Sequence, residues 1–74
     1  MSDWSRIEAV MARDYPALPA EEQSRRAVEL VQRASACNLS MRALLFVLEH
    51  GFTVREVLRR ISAIEAFTAA RQGR

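Results

Sequence analysis

Residues 39–51 read LSMRALLFVLEHG and form the most apolar segment of the chain. On a helix, positions 41–50 leave only a narrow polar strip, which carries Arg42 and Glu49. A helix that is apolar on nearly every side is normally covered by its neighbours. The segment is therefore predicted to be a central helix that the rest of the chain encloses.

Three further helices are predicted around this one, because apolar residues recur at helical spacing along the rest of the chain. They cover approximately residues 4–14, 19–37 and 54–71, and the central helix covers 41–50. No segment of four or more residues alternates β-branched with polar side chains, so no strand is predicted. The predicted fold class is all-α, a compact bundle of four helices, with residues 1–74 as a single domain.

Residues that favour helix ends support three of these boundaries. Ser5 and Glu8 have the spacing of a capping box at the start of the first helix. Pro19 suits the first position of the second helix, where the backbone needs no N–H donor. Asn38 is expected to end the second helix in a left-handed conformation.

A very short turn is predicted between the third and fourth helices. Ser40 is a natural N-cap for the third helix, and Gly51 can close it with Phe52 folding back as an apolar contact. Thr53 and Glu56 have the spacing of a second capping box, which starts the fourth helix. Together these residues predict a tight helix–turn–helix.

The chain is too short to build a large core. A domain of this size gains about 3–5 kcal/mol from its core unless disulfides, a metal or self-association add to it. The single cysteine, Cys37, cannot form an internal disulfide, and with the single histidine, His50, it cannot supply the ligands of a structural zinc site. A homodimer is therefore expected, built on the flank of Ile64 and Phe67 with the first helix contributing.

Composition and charge limit the location and the partners. The basic residues are eleven arginines without a lysine, and twelve alanines accompany them, a bias typical of the GC-rich genome of a bacterium or phage. Residues 1–37 carry five arginines and six acidic residues, whereas residues 38–74 carry six arginines and three acidic residues. The net charge of +2 is too small to indicate nucleic-acid binding by itself.

Without an apolar run of about 20 residues or a secretory signal, a cytoplasmic protein with no membrane partner is expected.

No residue pattern predicts catalysis. His50 is expected to interact with the last carbonyls of the third helix rather than to act as a base or a metal ligand. Cys37 has no neighbouring base in the sequence and is expected to behave as a small buried residue. The only glycines, Gly51 and Gly73, cannot form a phosphate-binding loop. The chain is therefore expected not to be an enzyme and to use no cofactor, metal or small-molecule substrate.

Protein binding is the leading functional prediction, and it centres on one flank of the fourth helix. The residues of this flank are Arg60, Ile64, Phe67 and Arg71. Aromatic residues and arginine are enriched at the residues that dominate protein interfaces. Alternatively, Phe67 packs back on Trp4 or Tyr15 of the first helix. The first arrangement predicts a small regulatory or inhibitory protein that acts by binding another protein.

DNA binding is the alternative prediction, as a dimeric helix–turn–helix transcriptional regulator. The candidate DNA-binding residues, which project from the fourth helix, are Arg55, Arg59 and Arg60. Residues 44–58 also resemble the opening of winged-helix regulators, in which an apolar helix, His-Gly and Thr-Val-Arg-Glu precede the recognition helix. The resemblance ends there, because neither a second turn nor wing strands follow.

Overall fold

The computed structural model describes residues 2–73, which form four helices joined by short turns, with no strand in that range. The helices are α1 (Asp3–Asp14), α2 (Ala20–Ala36), α3 (Met41–Glu49) and α4 (Val54–Gln72). The predicted all-α bundle of four helices is confirmed. None of the helices in the described range combines the length and the hydropathy needed to cross a membrane.

The start of α1 differs from the prediction. Ser2, not Ser5, is the N-cap, and its hydroxyl accepts a hydrogen bond from the Ser5 N–H at 3.1 Å. The predicted capping box of Ser5 and Glu8 is therefore wrong. The earlier start adds a backbone hydrogen bond from Arg6 to the Ser2 carbonyl and places Asp3 in the first turn, where the helix dipole favours negative charge. Pro19 likewise serves as the N-cap of α2 instead of its first residue.

The end of α2 confirms the expectation for Asn38. This residue has a φ of 63°, in the left-handed region that asparagine tolerates better than most residues. The Asn38 N–H donates to the Ser35 carbonyl at 3.0 Å, and the Leu39 N–H donates to the Ala34 carbonyl at 2.9 Å. Because these bonds satisfy carbonyls that have no partner inside the helix, the chain turns toward α3 within a few residues.

The turn between α3 and α4 also has the predicted local structure. Gly51 has a φ of 124°, a backbone conformation that other residues rarely adopt, and the Phe52 N–H donates to the Val47 carbonyl at 3.0 Å. The Glu56 N–H donates to the Thr53 hydroxyl at 3.1 Å, and the Thr53 N–H donates to the Glu56 carboxylate at 3.1 Å. The second capping box is thus formed, and α4 begins directly after the turn.

The core draws buried apolar side chains from all four helices. Its members are Ile7, Val10, Met11, Ala27, Leu30, Ala34, Leu44, Leu45, Leu48, Val54, Val57 and Ile61. Helix α1 packs against each of the other three helices, whereas α3 packs against α1 and α2 and contacts α4 least. The core therefore lies between α1, α2 and one face of α3, and only the first half of α4 reaches it.

Helix α3 is less enclosed than its sequence suggests. Leu44, Leu45 and Leu48 are fully buried, but Phe46 is 61% exposed on the opposite side of the helix, where its ring stacks on the ring of His50 with centroids 4.4 Å apart. The expectation that the other helices enclose α3 on all sides is wrong. A bundle of four short helices has too few neighbours to cover every face of one of them.

Arg13 and Asp14, at the end of α1, hold the turn between α3 and α4 from both sides. The Arg13 guanidinium donates to the Leu48 carbonyl at 2.8 Å and to the Phe52 carbonyl at 3.1 Å. The Asp14 carboxylate accepts from the Val54 N–H at 2.8 Å and pairs with Arg13 at 2.7 Å. The cation therefore lies at the C-terminus of one helix and the anion at the N-terminus of the next, as the two helix dipoles favour.

The replacement Leu48→Ala is expected to lower the free energy of unfolding by about 2–5 kcal/mol, because it leaves a cavity among fully buried side chains. Thermal and urea unfolding followed by circular dichroism measure the loss. A melting temperature within a degree or two of the wild-type value would contradict the placement of this face of α3 in the core.

The replacement Asp14→Asn is expected to cost about 1–2 kcal/mol at neutral pH. The hydrogen bond from Arg13 and, less strongly, the Val54 N–H lower the pKa of Asp14 below its usual value of 3.8, although partial burial opposes the shift. Because the folded-state pKa is the lower one, the stabilisation is complete above pH 3.8 and is lost as the pH falls through the folded-state pKa.

Urea unfolding of wild type and Asp14→Asn over a pH series tests this dependence. Other carboxylates with lowered pKa values, such as Glu49 and Glu65, titrate in the same range and destabilise both proteins on acidification. The difference between the two proteins isolates Asp14, and it should shrink toward zero in acid. A difference that stays constant with pH would show that the charge of Asp14 does not stabilise the turn.

Candidate protein-interaction surface on the last helix

Helix α4 continues well beyond the core. Its buried residues, Val54, Val57 and Ile61, all lie in its first half, and every residue from 62 to 73 is exposed. The positions that continue the core-facing stripe after Ile61 are Glu65, Thr68 and Gln72. Because these side chains are polar, the second half of the helix has no apolar stripe with which to join the core.

Two exposed apolar residues, with an arginine on either side of them, form a ridge next to the core-facing stripe. We define the α4 ridge as Arg60, Ile64, Phe67 and Arg71, which their spacing of four, three and four residues places on one side of the helix. Ile64 is 47% exposed and Phe67 is 63% exposed. Of the two arrangements that the sequence left open, Phe67 adopts the exposed one, whereas Trp4 and Tyr15 pack against the core.

The arginines at the two ends of the α4 ridge lie over aromatic rings. The Arg71 guanidinium carbon is 5.7 Å from the centroid of the Phe67 ring, and that of Arg60 is 4.7 Å from the centroid of the Phe52 ring. These cation–π contacts orient the side chains without neutralising them. Within residues 2–73, neither guanidinium has a carboxylate within 4.0 Å.

A groove of about 420 Å³ lies beside the α4 ridge, between the end of α2 and the second half of α4. Its lining combines the small or apolar side chains of Ala36, Cys37, Ile64, Thr68 and Ala69 with the polar side chains of Asn38, Glu65 and Gln72. Ile64 therefore belongs to both the groove and the ridge. Because they share this residue, the ridge and the groove form one continuous surface. The small residues along the groove allow the backbone of another helix to approach closely.

One long-range ion pair holds the second half of α4 next to α2. The Arg33 guanidinium donates to the two oxygens of the Glu65 carboxylate at 2.7 and 3.1 Å, and to the Ser62 hydroxyl at 3.1 Å. The hydrogen bonds from Arg33 lower the pKa of Glu65 below its usual range, while partial desolvation opposes the shift. The sequence gives no direct signal for this contact, because Arg33 and Glu65 are 32 residues apart.

The predicted DNA-binding arginines are not gathered on one surface. Arg55 and Arg59 are both exposed and, one turn apart, share a side of α4 that differs from the ridge. Within the described residues neither has a carboxylate within 4.0 Å. Arg60 instead lies at the start of the ridge, over Phe52.

Other places in the molecule offer less for binding or chemistry. A groove of about 390 Å³ between α1, α2 and α4 has Arg25 and Arg26 on its rim, but both pair with Glu22 of the same helix. Residues 2–73 contain no group of three or more histidine, cysteine or acidic side chains placed to hold a metal. The Nδ1 atom of His50 lies 2.7 Å from the Phe46 carbonyl at the end of α3, as expected for a capping role.

The replacement Arg33→Ala is expected to speed amide hydrogen exchange in residues 62–72 with little effect on the melting temperature. Partly exposed ion pairs contribute about 0–1 kcal/mol to global stability, but this one holds a helix segment that no core contact secures. Arg25→Ala is the matched control, because Arg25 pairs with Glu22 within α2 itself. Equal exchange in the two variants would contradict the tethering role of Arg33.

Comparisons of the chain with protein-family models, with curated proteins and with solved structures found no match.

Proposed function

We propose that the chain is a small regulatory or inhibitory protein, without catalytic activity, that binds another protein through the α4 ridge. The observation that carries the proposal is the exposure of Phe67 and Ile64 next to each other on a helix segment that stands clear of the core. Phenylalanine buries a large apolar area when it is covered, so its exposure beside a second apolar residue leaves a surface that a partner can use.

The surroundings of Phe67 support binding more strongly than exposure alone does. Within residues 2–73 the other exposed large apolar residues, Val28 and Phe46, lie on α2 and α3, and the ring of Phe46 stacks on His50. Phe67 instead adjoins Ile64 and carries Arg71 over its ring. Aromatic residues, phenylalanine among them, and arginine are enriched in protein interfaces.

The electrostatics of the α4 ridge favour a different protein over a second copy of this chain. Arg60 and Arg71 lie at opposite ends of the ridge, so two ridges packed together place arginine near arginine, whether the helices run parallel or antiparallel. Like charges brought together in a desolvated contact are unfavourable. The homodimer expected from the small core stays a prediction, and sedimentation equilibrium at micromolar concentration measures it.

The replacement Phe67→Ser is expected to abolish recovery of the partner when the tagged chain is used to capture proteins from cell lysate. Phe46→Ser is the matched control, because Phe46 is 61% exposed and Phe67 is 63% exposed. Both changes should leave the free energy of unfolding within about 0.5 kcal/mol of wild type. Wild type and the Phe46→Ser variant should both recover a specific partner, and Phe67→Ser should not. Recovery should be the same with and without nuclease.

DNA binding remains the second candidate, and the exposed side of α4 with Arg55 and Arg59 is the observation that favours it. Two features oppose it: the carboxylate of Asp14 occupies the N-terminus of α4, and Glu56 adds a second negative charge to the first turn. Binding to genomic DNA fragments that weakens steeply with salt and disappears in the Arg55→Ala/Arg59→Ala variant would overturn the proposed function.

A further inference from the structure

We infer that the α4 ridge and the groove beside it bind an amphipathic helix of another protein, one whose apolar residues are flanked by aspartate or glutamate. This inference rests on the proposed function and specifies the chemistry of the partner. Three features of the described residues support it. They are the arginines of the ridge that form no ion pair, the nearby carboxylates that already accept hydrogen bonds within the chain, and the shape of the groove.

The α4 ridge carries an arginine at each end. Arg60 and Arg71 contact aromatic rings and, within residues 2–73, have no carboxylate within 4.0 Å. Both glutamates of α4 are already engaged, Glu56 in the capping box and Glu65 with Arg33. Arg60 also interacts at longer range with the Glu56 carboxylate, one turn earlier in the helix. Because neither Arg60 nor Arg71 forms an ion pair within residues 2–73, an incoming carboxylate can pair with both without breaking one, whereas an incoming lysine or arginine is repelled by them.

The shape of the surface fits a helix better than an extended peptide. Extended peptides commonly gain affinity by adding a strand to the edge of a sheet, and residues 2–73 contain no sheet. A helix, in contrast, places apolar anchors into a groove at positions i, i+3, i+4 and i+7. The groove next to Ile64 has Ala36 and Ala69 in its lining, so a helix can approach closely there and reach the ridge through Ile64.

The spacing of the ridge sets where the acidic residues of the partner should lie. Arg60 and Arg71 are eleven residues apart in α4, which corresponds to about three helical turns, or about 16 Å. Ile64 and Phe67 occupy the interval between them. A complementary helix should therefore carry its apolar anchors in a central stretch of about two to three turns, with carboxylates toward both ends.

A displayed peptide library tests the inference directly. The probe is a set of helical peptides with fixed apolar residues at i, i+3, i+4 and i+7, and with aspartate, glutamate, lysine, arginine, alanine and glutamine randomised at the flanking positions. The full chain is the immobilised target, and selection proceeds in parallel on wild type, Phe67→Ser and Phe46→Ser. Peptides selected on wild type should show a clear excess of acidic over basic flanking residues.

Binding constants of the selected peptides then locate the site. Affinity should fall roughly tenfold or more in Phe67→Ser and in Arg60→Glu/Arg71→Glu, and should stay within about twofold of wild type in Phe46→Ser. Because Cys37 lines the groove and is the only cysteine, a bound peptide should also slow its reaction with a maleimide. An unchanged reaction rate would overturn the assignment of the groove to the site.

The remaining outcomes separate this inference from the proposed function. Peptides that depend on Phe67 but carry no acidic excess would overturn the inference and leave the proposed function in place. A library without enriched peptides, or with peptides that bind Phe67→Ser as well as wild type, would overturn the inference. Displacement of the acidic peptides by double-stranded DNA, with DNA binding lost in Arg60→Glu/Arg71→Glu, would reassign the ridge to nucleic acid.

Discussion

The contact of Arg13 and Asp14 with the turn between α3 and α4 holds the end of one helix and the start of the next in place. Helices α3 and α4 contact each other least of all helix pairs, so their mutual packing does little to fix the angle between them. The angle instead depends on the packing of the first half of α4 against α1 and α2, and on one side-chain pair of α1 that bonds the Leu48 carbonyl and the Val54 N–H. The position of the α4 ridge relative to α2 follows from this contact together with the core packing of α4 and the ion pair of Arg33 with Glu65.

The second half of α4 shows how a helix can persist where its core contacts end. Its alanines have the highest intrinsic helix propensity of any residue, and the ion pair of Arg33 and Glu65 adds one lateral attachment to α2. These alanines are Ala63, Ala66, Ala69 and Ala70. Helix propensity therefore maintains the backbone, and the side chains of Ile64 and Phe67 remain free for contacts outside the chain.

Most local features of the fold were predictable from the sequence, although the capping box of Ser5 and Glu8 was not formed, and the long-range contacts were not predictable. The left-handed Asn38, the closing Gly51 and the capping box of Thr53 each depend on residues within a few positions, so spacing alone identifies them. The contacts of Arg13 with the turn and of Arg33 with Glu65 join residues more than 25 positions apart, for which spacing carries no information. The same applies to the groove, whose two walls come from different helices.

Exposure of an aromatic ring is not sufficient to define a site, as the comparison of Phe46 with Phe67 shows. The two rings are almost equally exposed. Each ring also has a neighbour on its own part of the chain, since Phe46 stacks on His50 and Phe67 lies under Arg71. What distinguishes Phe67 is an exposed aliphatic neighbour, Ile64, which also lines the groove, and an arginine at each end of the ridge. Covering this surface removes contiguous apolar area from water and pairs free charges at the same time, which gives a partner both affinity and orientation.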